Sequence, residues 1–125
     1  MKHFLLVFIG GGFGSALRYI IGKYLNDVEN GIPYGTFTVN VLGSLLIGLI
    51  LGLAMKSTAI TQNQLLLLAS GFCGGFTTFS TFAYENHLFL KSGDFTSFAL
   101  YTIASFVLGF LAVFFGMYLA RIIEF

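Results

Sequence analysis

Gly71-Phe72-Cys73-Gly74-Gly75-Phe76-Thr77-Thr78-Phe79-Ser80-Thr81-Phe82 interrupts an apolar segment that runs from about residue 64 to 90. A plain membrane helix would carry Leu, Val and Ile here. Instead, three glycines, four hydroxyl residues and four phenylalanines fall within twelve positions. Hydrocarbon offers no water to free backbone groups, so irregular backbone survives at depth only when protein surrounds it or a wet cavity adjoins it. Clustered glycine is a recognised cause of helix breaks. The stretch therefore predicts a break that exposes carbonyls and N–H groups near mid-membrane, as in the broken helices of transporters. The alternative is a continuous helix that packs through Gly71 and Gly75, with its hydroxyls bonded to its own backbone.

Composition sets the class. Of 125 residues, 57% are hydrophobic and 9% charged, and the mean hydropathy is +0.91. Soluble domains carry about 25% charged residues, so this chain is expected to be an all-α integral membrane protein. At about 20 residues per crossing, one domain over residues 1–125 has room for four spans, near 3–25, 33–55, 64–90 and 96–122. Nothing is left over for a soluble catalytic domain. The net charge is +1, and no basic run suggests nucleic acid. Cys73 is the only cysteine, so no intrachain disulfide is possible; a lone thiol in an apolar run is expected to pack as a small residue.

Outward from the central stretch, the first span begins like a secretory leader, with Lys2 before Phe4–Ile9. Its apolar character continues to Ile20-Ile21, which fits a retained helix. Gly10-Gly11-Gly12-Phe13-Gly14 lacks both the preceding strand and the third glycine of a nucleotide loop, where Leu17 stands. Close helix contact through Gly10/Gly14 and Gly12/Ala16 is the better account. Arg18 lies in an otherwise apolar run, where a guanidinium is costly and faces protein or water. Snorkelling or structural bonding, and direct attraction of an ion, both remain open for it.

Asn26 to Pro33 forms a polar link. In the second span Thr36, Asn40 and Ser44 recur every four residues and share a face, which Gly48 and Gly52 continue. Asn40 fits an interhelical hydrogen bond or an amide donor facing an ion path. Lys56–Asn63 is expected to be a short turn. Glu85 and His87 are two apart and cannot share a helix face, which argues against zinc. Lys91-Ser92-Gly93-Asp94 reads as a tight turn before the last span, which Arg121 and Glu124 close. Tyr101 and Ser105, four apart, give a second hydroxyl track.

With four crossings, Lys2, Lys56 and Arg121 share one side, and Lys23 and Lys91, with Arg18 nearby, share the other. That balance gives the positive-inside rule little to act on, so insertion in both orientations and head-to-tail pairing are expected. The hydroxyls of Thr77, Thr78, Ser80, Thr81, Tyr101 and Ser105 and the amide of Asn40 are neutral donors suited to an anion. Phe79 and Phe82, three apart, can add electropositive ring edges. Freed carbonyls could equally hold a small cation.

Three blocks in order, Gly12–Tyr19, Gly35–Ser44 and Gly71–Phe82, resemble the Fluc (CrcB) family of small bacterial fluoride channels along essentially the whole chain. A small departure is Leu45-Leu46, where that family often has Phe after Gly-Ser. The resemblance implies a passive fluoride channel of the bacterial inner membrane, an antiparallel dual-topology homodimer in lipid with two fluoride pathways. It implies pore-lining roles for Phe79, Phe82 and Asn40, and a structural Na⁺ on the backbone carbonyls of Gly74 and Thr77. Ser80, Thr81, Tyr101 and Ser105 would extend the polar track, with Thr36 on the same face as Asn40 and Glu85 near one mouth. Arg18 matches a family arginine and is counted with the pathway. A drug/proton antiporter of similar size would need a carboxylate deep in the first span, where this chain has Arg18. An intramembrane enzyme would need a nucleophile elbow that Gly12-x-Gly14-Ser15 does not supply, so no catalysis is expected. A purely structural membrane subunit is the remaining alternative.

Overall fold

The computed structural model describes residues 1–27, 29–56 and 60–123. The expected turn at 56–63 lies partly outside these residues, and Glu124 lies wholly outside them. Helix α1 spans Lys2–Leu25 and α2 spans Tyr34–Lys56. The third crossing is assembled from pieces: α3 Gln62–Leu65, a π-helical segment Leu66–Cys73, α4 Gly74–Phe76 and α5 Phe79–Lys91. Helix α6 spans Phe95–Ile122. Among the described residues four helical stretches are long and apolar enough to cross a membrane, and the chain is an all-helical multi-pass membrane protein. The only extended pairing among them is the isolated bridge between Asp27 and Ile32.

Polar groups at the ends of the bundle satisfy the backbone that each helix leaves open. Asn26 Oδ1 accepts from the N–H groups of Gly35 (2.7 Å) and Thr36 (3.2 Å), so the end of α1 caps the start of α2. Thr61 and Gln64 form a reciprocal capping box at α3. In the turn after α5, Gly93 adopts φ +78°, a conformation natural only to glycine, and Asp94 Oδ1 accepts from Ser97 N–H at 3.0 Å to cap α6. Hydrogen bonds from Ser97 hold the Asp94 carboxyl below its ordinary pKa, as those from Asn30 do for Asp27.

Glycine sets how closely the spans approach. α1 packs on the π-helical segment and α4, while α2 packs along α6. A Cβ on Gly10 would lie 2.8 Å from Phe72 N, one on Gly14 2.8 Å from Phe76 N, and one on Gly75 2.9 Å from Gly11 Cα. The expected Gly10/Gly14 contact face is present. The Gly12/Ala16 pair is not part of it: both residues are exposed, and nothing lies within 4 Å of a Cβ built on Gly12. Gly48 and Gly116 play the same part between α2 and α6, where Cβ atoms would lie 3.0 Å from Val113 Cα and 2.7 Å from Leu49 N.

The break falls where expected but not on the glycines. Gly71, Gly74 and Gly75 are helical, and the chain becomes extended at Thr77 (φ −85°, ψ 157°) and Thr78 (φ −151°, ψ 119°). Both sequence alternatives thus hold in part: Gly71 and Gly75 form a packing face, and the helix stops one residue after Gly75. The glycines bring α1 close enough for Arg18 Nε (3.0 Å) and Ser15 Oγ (3.3 Å) to donate to the Gly75 carbonyl. A cation at that carboxyl end also opposes the negative pole of the helix.

Gly75→Ala is expected to destabilise the protein by about 1–3 kcal/mol through backbone clash, whereas Gly12→Ala, exposed in mid-helix, is expected to leave stability unchanged or raise it by up to about 1 kcal/mol. Melting in detergent would compare them, and equal effects would refute the contact face. Arg18→Met removes a charged donor from Gly75 and is expected to cost about 1.5 kcal/mol in the same assay.

Candidate functional site

The extended residue Thr78 is joined to α2 by a single side chain. Asn40 Oδ1 accepts from Thr78 N–H at 2.8 Å, and Asn40 Nδ2 donates to the Thr78 carbonyl at 3.1 Å. The amide thus imitates a strand partner for one residue of extended chain. Among the described residues one of its two N–H groups is used, which leaves the other as a donor. Thr78 Oγ1 then accepts from Thr81 N–H at 3.2 Å and starts α5. The same hydroxyl donates to Thr81 Oγ1 at 3.2 Å and lies 3.3 Å from Ser80 Oγ. Thr77 turns the other way, its hydroxyl donating to the Cys73 carbonyl at 2.9 Å.

A groove of about 320 Å³ opens beside this break. Asn40, Thr78, Phe79, Phe82 and Ser105 line it with Ser44, and Gly74 and Thr77 lie at its wall. Among the described residues no charged side chain lines it. Ser44 donates to the Asn40 carbonyl at 2.7 Å. Ser105 Oγ is buried and has no partner among the described residues; such a group is costly to leave unmade. The Phe79 and Phe82 centroids are 5.8 Å apart, but the rings differ in setting. Phe79 is 73% exposed, and Phe82 is 7% exposed.

The remaining site residues form a second constellation. Glu85 accepts from the Thr36 hydroxyl on Oε2 and from the Tyr101 hydroxyl on Oε1, both at 2.7 Å. Thr36 and Tyr101 are buried. This carboxylate lies outside the groove lining. The Tyr101 ring links the two parts, with its centroid 5.0 Å from that of Phe82. Arg18 also lies off the groove lining, on the Gly75 carbonyl; of the alternatives left open for it, structural bonding is the contact present.

Two contributors escape sequence reasoning. Phe106 lines the groove and meets Phe82 edge-to-face, at 6.1 Å and 89°. Its position next to Ser105 is the only available signal. The π-helical form has none: Leu66–Ser70 look like any apolar helix, and Gly71-Phe72-Cys73 mark the backbone as irregular without giving its form. Such widened turns occur often at functional sites. Further, among the described residues no hydrogen bond reaches the carbonyls of Gly74 or Thr77. The N–H of Thr78 goes to Asn40 and that of Thr81 to Thr78 Oγ1, so neither continues a helical ladder across the break.

Comparison with known proteins extends these observations. Residues 5–117 match the family described as CrcB-like protein, Camphor Resistance (CrcB). A protein of Gloeothece citriformis named fluoride-specific ion channel FluC is 49% identical over 122 residues, covering 97% of this chain and 98% of the relative. Proteins of the same name from Phocaeicola vulgatus and Chlorobium phaeobacteroides are 48% and 44% identical, covering 97% and 98% of this chain and 100% and 95% of the relatives. Matched in this way from end to end, the chain belongs to the CrcB family.

Proposed function

We propose that this protein is a passive fluoride-selective channel that lets F⁻ leave the cytoplasm across the bacterial inner membrane. The observation that carries the reading is the uncharged groove at the helix break. It offers neutral donors, the spare Asn40 N–H and the unpartnered Ser105 hydroxyl, next to the rings of Phe79 and Phe82. Such donors replace an anion's hydration shell without the tight binding that a fixed cation would impose. Phenyl edges add weak positive potential. The names of the relatives agree with this substrate. Ser80 and Thr81 extend the track along α5. The Glu85, Thr36 and Tyr101 cluster stands toward the end where α2 begins, consistent with a mouth. Arg18 acts through the Gly75 carbonyl, at the end of the helix that precedes the break.

No catalysis is assigned. Neutral HF enters from acidic surroundings, ionises at cytoplasmic pH and is trapped as F⁻. An inside-negative potential then drives the anion out by about 2.3 kcal/mol per charge per 100 mV. The channel supplies only the path.

The functional unit we infer is an antiparallel homodimer. The balance of Lys2, Lys56 and Arg121 against Lys23 and Lys91 supports dual insertion. Phe79, largely exposed in one protomer, supports a wall completed by a second copy. The unbonded carbonyls of Gly74 and Thr77 fit a structural Na⁺, a hard cation that takes oxygen ligands. One protomer offers too few of them, and a symmetric partner would double the set. The ion would supply positive charge that ties the two breaks together.

Proteoliposomes containing only this protein test the reading. With a K⁺ ionophore present, rapid F⁻ efflux and retained Cl⁻ are expected; no efflux from folded protein would refute it. Ser105→Ala removes one donor to the anion and is expected to lower F⁻ flux about tenfold, the effect of one charge-assisted hydrogen bond. Phe79→Ile and Phe82→Ile should each cut flux, and Asn40→Asp should suppress it by placing a like charge in the path. Unchanged helical content and elution volume would separate these effects from misfolding.

A further inference from the structure

A second groove, of about 480 Å³, opens at the opposite end of the α2–α6 pair from the Thr36 cluster. Its walls are Gly52 and Met55 of α2 with Phe114 and Met117 of α6. Its rim carries Lys56, Arg121 and Tyr118. None of these seven residues lines the groove at the helix break. We propose that this groove is a binding site for an anionic phospholipid, with the phosphate at Lys56, Arg121 and Tyr118 and an acyl chain along Met117 and Phe114.

The geometry follows the layering of a membrane. Arg121, Met117 and Phe114 recur at helical spacing on one face of α6. The seven steps from Phe114 to Arg121 rise about 10 Å, which takes the groove from the charged rim into hydrocarbon depth. Its volume lies within the usual range of small-ligand sites, about 300–1,000 Å³. Aromatic residues such as Tyr118, 55% exposed, concentrate at headgroup level.

The charge is fixed in place. Lys56 Nζ donates to the carbonyls of Ala120 (3.3 Å), Arg121 (3.4 Å) and Ile123, which binds the ammonium to the end of α6. These bonds hold the exposed lysine side chain against the end of α6. The lysine offers the phosphate charge, while the exposed Arg121 guanidinium offers donors in a fork suited to phosphate oxygens. Among the described residues no carboxylate lines the groove. Free phosphate would leave the apolar walls uncovered, and the site lies on a chain whose natural solvent is lipid. Those two facts favour a phospholipid over a soluble anion.

Native mass spectrometry of the whole protein, exchanged into detergent with phosphatidylglycerol or phosphatidylcholine of matched chains, tests the proposal. Preferential retention of phosphatidylglycerol is expected, falling about fivefold in R121Q, the effect of one basic residue near a charged lipid surface. R121Q leaves Lys56 and its backbone acceptors in place, so it keeps the helix cap; K56Q/R121Q should lower retention further. Equal retention of the two lipids, or unchanged retention in R121Q, would overturn the proposal. So would displacement of the lipid by millimolar inorganic phosphate, which would mark a simple anion site. Protection of a Tyr118→Cys variant from a maleimide in the delipidated dimer but not in the monomer would also overturn it, by assigning the groove to a second protomer.

Discussion

A backbone that leaves the helix inside hydrocarbon frees N–H and carbonyl groups that need partners, and at the centre of this molecule Asn40 supplies both partners of Thr78. One side chain serves both the donor and the acceptor of the same extended residue. Ser15 and Arg18 take the Gly75 carbonyl, and the Thr78 hydroxyl restarts the helix at Thr81. The first span, the second span and both halves of the third are thereby tied to one point. The break is fixed in position rather than loose.

That arrangement depends on glycine at a distance from the break. Helices of ordinary side chains pack with axes about 8–10 Å apart. Where Gly10, Gly11 and Gly14 meet Gly71 and Gly75, backbone lies against backbone. Only that approach lets a serine reach a carbonyl across the interface at 3.3 Å. The glycines are therefore the cause of the capping and not the place of the break.

The same geometry separates charge from the groove. Glu85 is turned to Thr36 and Tyr101, whose hydroxyls both donate to it. The groove is left with hydroxyls, an amide and phenyl rings. An anion at the break would thus meet donors and no fixed negative charge. Tyr101 joins the two regions, since its hydroxyl serves Glu85 while its ring packs against Phe82.

Hydropathy along the chain determined the helical class, because a segment of this length and apolarity has no other way to satisfy its backbone in lipid. A spacing of four is enough to place Thr36, Asn40 and Ser44 on one face, and the density of glycine and hydroxyls marks 71–82 as irregular. What depended on contact was out of reach. The break moved from the glycines to Thr77 and Thr78 because Asn40, 38 residues earlier, offers an amide only there. Arg18 found a carbonyl 57 residues away, and Gly12, similar in sequence to Gly10, was left on the outer face. The π-helical turns and the role of Phe106 likewise had no local signature. Each of these follows from which helices lie side by side, and that is decided by packing across the bundle, not by the period of any one segment.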